Sequence, residues 1–213
     1  MKNIKNYFPY FLLGIYIILF TFLAISPLDR ATWWAENIPV MIVVVILVLA
    51  FKKFRFSNTS YFLMTLFLCF HTIGGHYTFE KVPFDTFNAM LNSLNMDFIF
   101  SEGRNNFDRV GHFLIGVFAY PVAELVVRKK WVTNIWMAIF VGIFALGFWG
   151  ALYEIIEMIY AILFGGEQAA NFLGSQGDIW DAQKDMLLDI SGAVLISVLF
   201  YFNYKNSGKK GLK

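Results

Sequence analysis

Of 213 residues only one is cysteine, five are proline and three are histidine, and charged residues make up 15%. The lone Cys69 excludes an internal disulfide framework and a cysteine-rich zinc module. Soluble chains carry roughly 25% charged residues. That deficit, with 58% hydrophobic residues, 19% aromatic residues and 25 Phe, excludes a soluble globule, because too much of a domain this size lies near its surface to hide them. A soluble enzyme, a nucleic-acid binder and a disordered chain are excluded with it. Internal repeats and low-complexity stretches are lacking too. The net charge of +2 is uninformative as a sum; its distribution is not.

What the chain has is long apolar runs. A bilayer core of about 30 Å takes about 20 helical residues, and spans are expected at 7–25, 36–54, 59–77, 109–127, 132–153 and 184–204. A cleaved signal peptide is the rival reading of the first run; it fits poorly, since the run is long and more follow. Trp33, Trp34, Lys52 and Lys53 read as interface anchors that stretch the second run, and Pro39 suits its first turn after Asn37. The fifth run continues as helix toward Phe164. The expected fold is all-α: a polytopic membrane bundle of six transmembrane helices in a single domain, monomer or small homo-oligomer. Lipid tolerates only helices and closed barrels, and these runs are too long for barrel strands.

Charge sets the orientation. With the N-terminus inside, the cytoplasmic segments hold Lys2, Lys5, Lys52, Lys53, Arg55, Arg128, Lys129, Lys130, Lys205, Lys209, Lys210 and Lys213, twelve of the 17 Lys and Arg. The outer segments hold Arg30, Lys81, Arg104, Arg109 and Lys184. The bias of short loops toward positive charge inside gives N-in/C-in. Among the 15 acids only Glu124 falls near an inner span end, so polar chemistry is expected on the extracytoplasmic side. Two outer loops, 78–107 and 165–183, are long, and long loops in compact folds are functional or disordered. In the first, Phe84, Phe87, Leu91, Leu94 and Phe98 recur at helical spacing, which reads as an amphipathic helix in the membrane interface. The second is rich in glycine (Gly165, Gly166, Gly174, Gly177), contains Asn171 and Gln176, and is expected to pack over the bundle mouth.

Four outer span ends are polar. Span three exits at Gly74-Gly75-His76-Tyr77. Span four enters at Asp108-Arg109-Val110-Gly111-His112, with Asp108 and His112 on one helix face. Span five exits through Glu154 and Glu157. Span six enters through Asp178, Asp181, Asp185 and Asp189, one stripe if the helix begins near Asp178; Asp189 then lies about 6 Å deeper than Asp185. Each group has a plainer alternative. Asp178 or Asp181 caps a helix; Asp108 and Arg109 form an interfacial ion pair; Glu154 and Glu157 are solvated. His71 is a bonded packing residue, and Glu124 snorkels or pairs with Arg128. Gly147, Ala151, Ala193 and Ser197 form helix contact faces. Against these stands the collective argument. An intramembrane carboxylate such as Asp189 is costly and marks function, and acids crowding one opening repel unless a cation, a proton or a basic substrate joins them.

Paired carboxylates with a histidine suit a hard or borderline divalent cation. Glu154, Glu157, Asp181 and Asp185 are the expected metal ligands, and His112 a ligand or general acid/base. Asp108, His112, Glu154, Glu157, Asp181, Asp185 and Asp189 together form the candidate catalytic set. Arg104 and Arg109 are the expected phosphate holders, since a guanidinium grips phosphate in bidentate fashion. These parts fit metal-assisted phosphoryl or glycosyl-phosphoryl chemistry on a lipid-linked substrate, and equally a site that only binds one.

The segments Gly74-Gly75-His76-Tyr77-Thr78, Arg104-Asn105-Asn106-Phe107-Asp108-Arg109-Val110-Gly111-His112-Phe113, Tyr153-Glu154-Ile155-Ile156-Glu157 and Gly177-Asp178-Ile179-Trp180-Asp181-Ala182-Gln183-Lys184-Asp185-Met186 resemble the YjdF family of bacterial inner-membrane proteins, over roughly residues 10 to 204. That family has a domain of unknown function. More remotely, an Asp and His opening one span, a Glu closing the next and Asp with Gly in the last is similar to VanZ-like proteins, associated with glycopeptide tolerance and cell-envelope phenotypes. That likeness implies roles for Asp108, His112, Glu154 and Asp189; the long outer loops and extra spans depart from it. The resemblance implies a multi-pass protein of the bacterial inner membrane with its site on the outward face and an envelope role, and gives no activity. The function expected from the parts is binding or processing of an envelope lipid or lipid-linked phosphate at the outward acidic site. Cation- or proton-coupled transport and a non-catalytic accessory role are the alternatives. Against transport stand the one-sided clustering of the acids and the lack of an inverted repeat or clearly broken helix pair.

Overall fold

The computed structural model describes residues 7–164 and 175–207, and every regular element in them is helical. The helices are α1 (Phe8–Leu23), α2 (Arg30–Ala50), α3 (Asn58–His76), α4 (Asp85–Asn92), α5 (Phe107–Ile115), α6 (Ala119–Arg128), α7 (Ile135–Phe164) and α8 (Asp181–Ser207). A single 3-10 turn, Gly116–Phe118, joins α5 to α6. Four of these stretches are long and apolar enough to cross a membrane: α2, the α5–α6 unit, α7 and α8. α1 is shorter at 16 residues. α3 has the length but carries Thr72, Gly74 and Gly75 buried along it. It is wedged against α1, α2 and α5, so it has less need of an apolar coat. Gly165, Gly166, Asn171, Gly174 and the terminal lysines lie outside the described residues.

Local chemistry accounts for the helix ends, and several differ from expectation. α2 starts at Arg30, six residues before the expected span, because Asp29 caps it by accepting from the Thr32 N–H at 2.6 Å. Pro39 therefore sits inside the helix, and Glu36 and Asn37 become buried helical residues, 4% and 0% exposed. Ser57 caps α3 through the Ser60 N–H at 3.2 Å. The fourth span is not one continuous α-helix. Pro121 has no N–H to give the Val117 carbonyl four residues back, and the 3-10 turn falls there. α7 runs unbroken to Phe164, as expected. α8 begins at Asp181, so Asp178 lies in the turn before the helix and off the stripe. α4 is only eight residues long. Phe84 and Leu91 turn inward, whereas Phe87, Leu94 and Phe98 are exposed, which leaves an apolar outer surface on this loop.

Small residues let the second half of the bundle close. α8 packs against α5, α6 and α7. A Cβ on Gly116 would collide with the backbone of Gly192 and Ala193, and one on Gly192 with the Phe113 carbonyl. On Gly142 it would stand 2.7 Å from the Ala119 oxygen. Such close approach is how helices associate where lipid removes the hydrophobic drive. Of the four small residues picked out by spacing, Ala193 and Ser197 are buried and Gly147 meets Ile190; the tightest crossing, Gly116 on Gly192, was not among them. The central core joins Tyr120 and Phe200, whose rings meet edge-on at 5.1 Å.

The helix ends sort into two polar levels. At one, the His76 Nδ1–H donates to the Leu23 carbonyl (2.7 Å) and the Leu28 N–H donates to the His76 carbonyl (3.0 Å). This level also holds the starts of α2, α5 and α8 and the last turns of α7. At the other, Glu124, fully buried, accepts from the Ser57 N–H and hydroxyl, both at 2.8 Å, and from Ser60 and Arg128. The pairing of Glu124 with Arg128 is thus the structural role foreseen for it.

Candidate functional site

α5 and α8 bring together the acids and histidine at the first level. His112 is the hub. Its Nδ1 lies 3.1 Å from Asp189 Oδ1, and its Nε2 lies 3.7 Å from Asp108 Oδ1 and 4.0 Å from Asp185 Oδ2. The Nδ1 contact is a hydrogen bond; the two Nε2 separations are too long for one. A carboxylate on one ring nitrogen fixes the tautomer and leaves the other as a lone-pair donor. Asp108, His112 and Asp185 each offer a ligand atom, all within 4.8 Å of one another. Asp185 is 2% exposed, and its Oδ1 has no hydrogen-bond partner; Arg109 Nε, also without one, lies 4.0 Å from it. A buried carboxylate oxygen without a hydrogen bond is costly; Oδ2, the oxygen toward His112 Nε2, is the one a cation bound among these three would meet.

A cluster of ion pairs adjoins these residues. Asp181 Oδ1 is 2.8 Å from Arg104 Nη2 and 3.0 Å from Arg109 Nη2. Arg109, fully buried, also holds Asp178 Oδ2 at 2.5 Å and the Ile99 carbonyl. Lys184 adds a contact to Asp178 at 2.6 Å. Both guanidiniums are thus committed to carboxylates and carbonyls. Arg104 also donates to the Ser175 carbonyl, and Asn105 and Gln176 exchange two 3.0 Å bonds. These contacts dock the 175–178 turn on the start of α5, which is how the described part of the second loop packs over the bundle. Burial pushes the Asp178 carboxyl up, but hydrogen bonds from Lys184 and Arg109 outweigh it and hold it well below the usual carboxylate range.

Beneath this lies a cleft of about 70 Å³ between α2, α3, α5, α7 and α8. Asp108, His112, Asp189 and Glu157 line it, as do Glu36, His71, Thr78 and Tyr153. Gly150 gives the carboxylate of Asp189 its room, since a Cβ there would strike it. Glu154 is partly buried, with Oε1 lacking a hydrogen-bond partner.

Comparison with known proteins places the chain in a family. The model of a predicted membrane protein family, DUF2238, matches residues 8–206. The chain belongs to that family. It is also 35% identical to the inner membrane protein YjdF of Escherichia coli (strain K12) over 185 residues, 86% of this chain and 83% of that protein. No solved structure matches. The match is to DUF2238 and lends no support to the VanZ-like likeness.

In this DUF2238 membrane protein the expected site residues divide three ways. Asp108, His112, Asp185 and Asp189 meet directly. Asp181, Arg104 and Arg109 form the ion cluster above them. Glu157 lines the cleft, and Glu154 is set apart by its unpartnered oxygen. Of the four expected metal ligands only Asp185 belongs to the close-set trio; Asp108 and His112 complete it.

The largest omission from the sequence reading is Glu36. Its Oε2 accepts from the Tyr153 hydroxyl at 3.0 Å and lies 3.4 Å from His71 Nε2. The ring of His71 also reaches the Glu36 carbonyl oxygen at 3.2 Å. His71 is thus bonded, as foreseen, but on the wall of the cleft. The signal for Glu36 was Asp29 three residues before Thr32, a capping pattern that moves the helix start back and carries Glu36 into the bundle.

Proposed function

We propose that this chain is a six-span protein of the bacterial inner membrane whose outward carboxylate–histidine site binds an envelope lipid or lipid-linked phosphate through a divalent cation. It forms a single domain with both termini on the cytoplasmic side. The observation that carries the reading is His112, held by Asp189 through Nδ1 and facing Asp108 and Asp185 through Nε2. Support for the orientation is the grouping of Lys52, Lys53, Arg55, Arg128, Lys129, Lys130 and Lys205 at the end opposite the acids. The YjdF relative's printed name supports the compartment.

Charge explains why a cation is needed. Arg104 and Arg109 are held closest by Asp178 and Asp181 and lie 3.7 and 4.0 Å from Asp108 and Asp185, so they offset the surrounding acids and leave little positive field for a phosphate. An ion at Asp108, His112 and Asp185 would supply it, polarising the phosphoryl oxygens as a Lewis acid. His112 would then be a ligand, and Glu154 and Glu157 the groups placed to accept a proton or hold a headgroup. The transport alternative gains nothing from His71 and Glu124. The first is engaged at the outward cleft and the second is sealed by Ser57, Ser60 and Arg128 at the far end.

Native mass spectrometry of protein released from membranes tests this. Phosphate-bearing lipid should be retained with magnesium present and lost with chelator or in His112→Ala. Equal retention in all three samples would refute it.

A further inference from the structure

The cleft holds more polar chemistry than a cation site uses. Besides Asp108 and Asp189, its walls include Glu36 and Glu157, neither of which is in the Asp108–His112–Asp185 trio. Glu36 is 4% exposed, and its Oε2 accepts from the Tyr153 hydroxyl with His71 Nε2 3.4 Å away, which leaves its other oxygen for a ligand. The rings of Phe79, Trp149 and Tyr153 line the same cleft. Trp149 is 55% exposed on α7, so the opening beside it faces the bilayer.

A second, independent feature points into the same space. Thr78 lines the cleft at 3% exposure, and its hydroxyl has no hydrogen-bond partner. Thr78 and Phe79 both have left-handed backbones, φ 58° and 57°, unfavourable for a β-branched and a bulky residue. The turn is fixed by the Phe79 N–H on the Gly74 carbonyl at 2.8 Å and by the Phe79 ring lying where a side chain on Gly74 would be. Strain held by surrounding structure in this way is characteristic of ligand clamps. Here it presents an unsatisfied oxygen and an aromatic face to an acidic cleft.

We infer that the cleft binds an organic ammonium group, carried on the headgroup of an aminated phospholipid of the phosphoethanolamine type. An ammonium donates up to three hydrogen bonds, which Glu36, Glu157 and the Thr78 hydroxyl accept, and the aromatic faces attract its charge. About 70 Å³ suits a short amine arm, since one water-sized group needs about 10–15 Å³. An acidic headgroup meets Glu36 and Glu157 and is repelled. The inference rests on the proposed phosphate site only for the position of the lipid's phosphate; the ammonium contacts do not involve the cation.

The test uses the whole protein in nanodiscs, with Trp fluorescence following titration by ethanolamine or by neutral ethylene glycol. Phosphatidylethanolamine and phosphatidylglycerol compete in a parallel native mass spectrum, and magnesium-dependent thermal shift is read on the same samples. Expected are at least tenfold tighter binding of the amine than of the diol, selective retention of phosphatidylethanolamine, and loss of both in Glu36→Gln and Thr78→Val with the magnesium shift kept. Equal binding of amine and diol, or no change in either variant, overturns the inference. A magnesium shift without amine preference sinks this inference alone; amine preference without a magnesium shift upholds it and sinks the cation reading. Amine binding without lipid preference overturns the lipid source.

Discussion

His112 Nδ1 and Asp189 Oδ1, 3.1 Å apart, join α5 to α8 and set the direction in which Nε2 faces. Asp185 and Asp189 then have unequal roles. Asp185 faces the open nitrogen and is a candidate ligand; Asp189 positions the ring. Asp185→Asn should abolish divalent-ion stabilisation. Asp189→Asn should weaken ion affinity about 10–100-fold, the usual cost of losing such a supporting carboxylate. Thermal shift against ion concentration checks both, and equal losses would contradict the division.

Gly150 gives the Asp189 carboxylate the room it needs to reach His112. A methyl there strikes the Asp189 carboxylate, the free end of a side chain, and displaces it from His112. Helix propensity meanwhile favours Ala over Gly by about 1 kcal/mol. Breaking that buried pair costs about 3–5 kcal/mol, more than the helix gain, so Gly150→Ala should lower ion affinity about tenfold or more and lower the ion-free melting temperature as well.

Asp178 gives a pH dependence with a definite sign. Its folded pKa is depressed below the ordinary 3.8, burial being outweighed by Lys184 and Arg109. Stability from such a group is full above the unfolded value and is lost as pH falls through the folded value. The melting-temperature gap between wild type and Asp178→Asn should hold constant from about pH 8 to 5 and close only below about pH 4. A gap that closes between pH 7 and 5 would count against stabilisation through the Asp178 ion pairs.

At the opposite end, Glu124→Ala leaves Arg128, Ser57 and Ser60 without their shared acceptor. Breaking a buried pair costs about 3–5 kcal/mol, and Arg128, 31% exposed, recovers part of that in water. A loss near the low end, about 3 kcal/mol, should appear as a lower melting temperature with ion response unchanged.

The sequence made the level of the site legible because helix spacing alone puts Asp108 over His112 and Asp181, Asp185 and Asp189 on one stripe. It did not reveal what Arg104 and Arg109 face, because that depends on the 175–178 turn docking some 70 residues away. Glu36 was hidden by a misplaced helix start beside Trp33 and Trp34. The break at Gly116–Phe118 was announced by Pro121, yet the Gly116–Gly192 crossing beside it is a tertiary fit that no single-helix pattern encodes.

The most direct test of the cation site is manganese binding followed by electron paramagnetic resonance on detergent-purified protein, beside Asp185→Asn and His112→Ala. The account predicts one tightly bound ion per chain in the wild type and none in either variant. Wild type that binds no manganese, or variants that bind it as well as wild type, would contradict it.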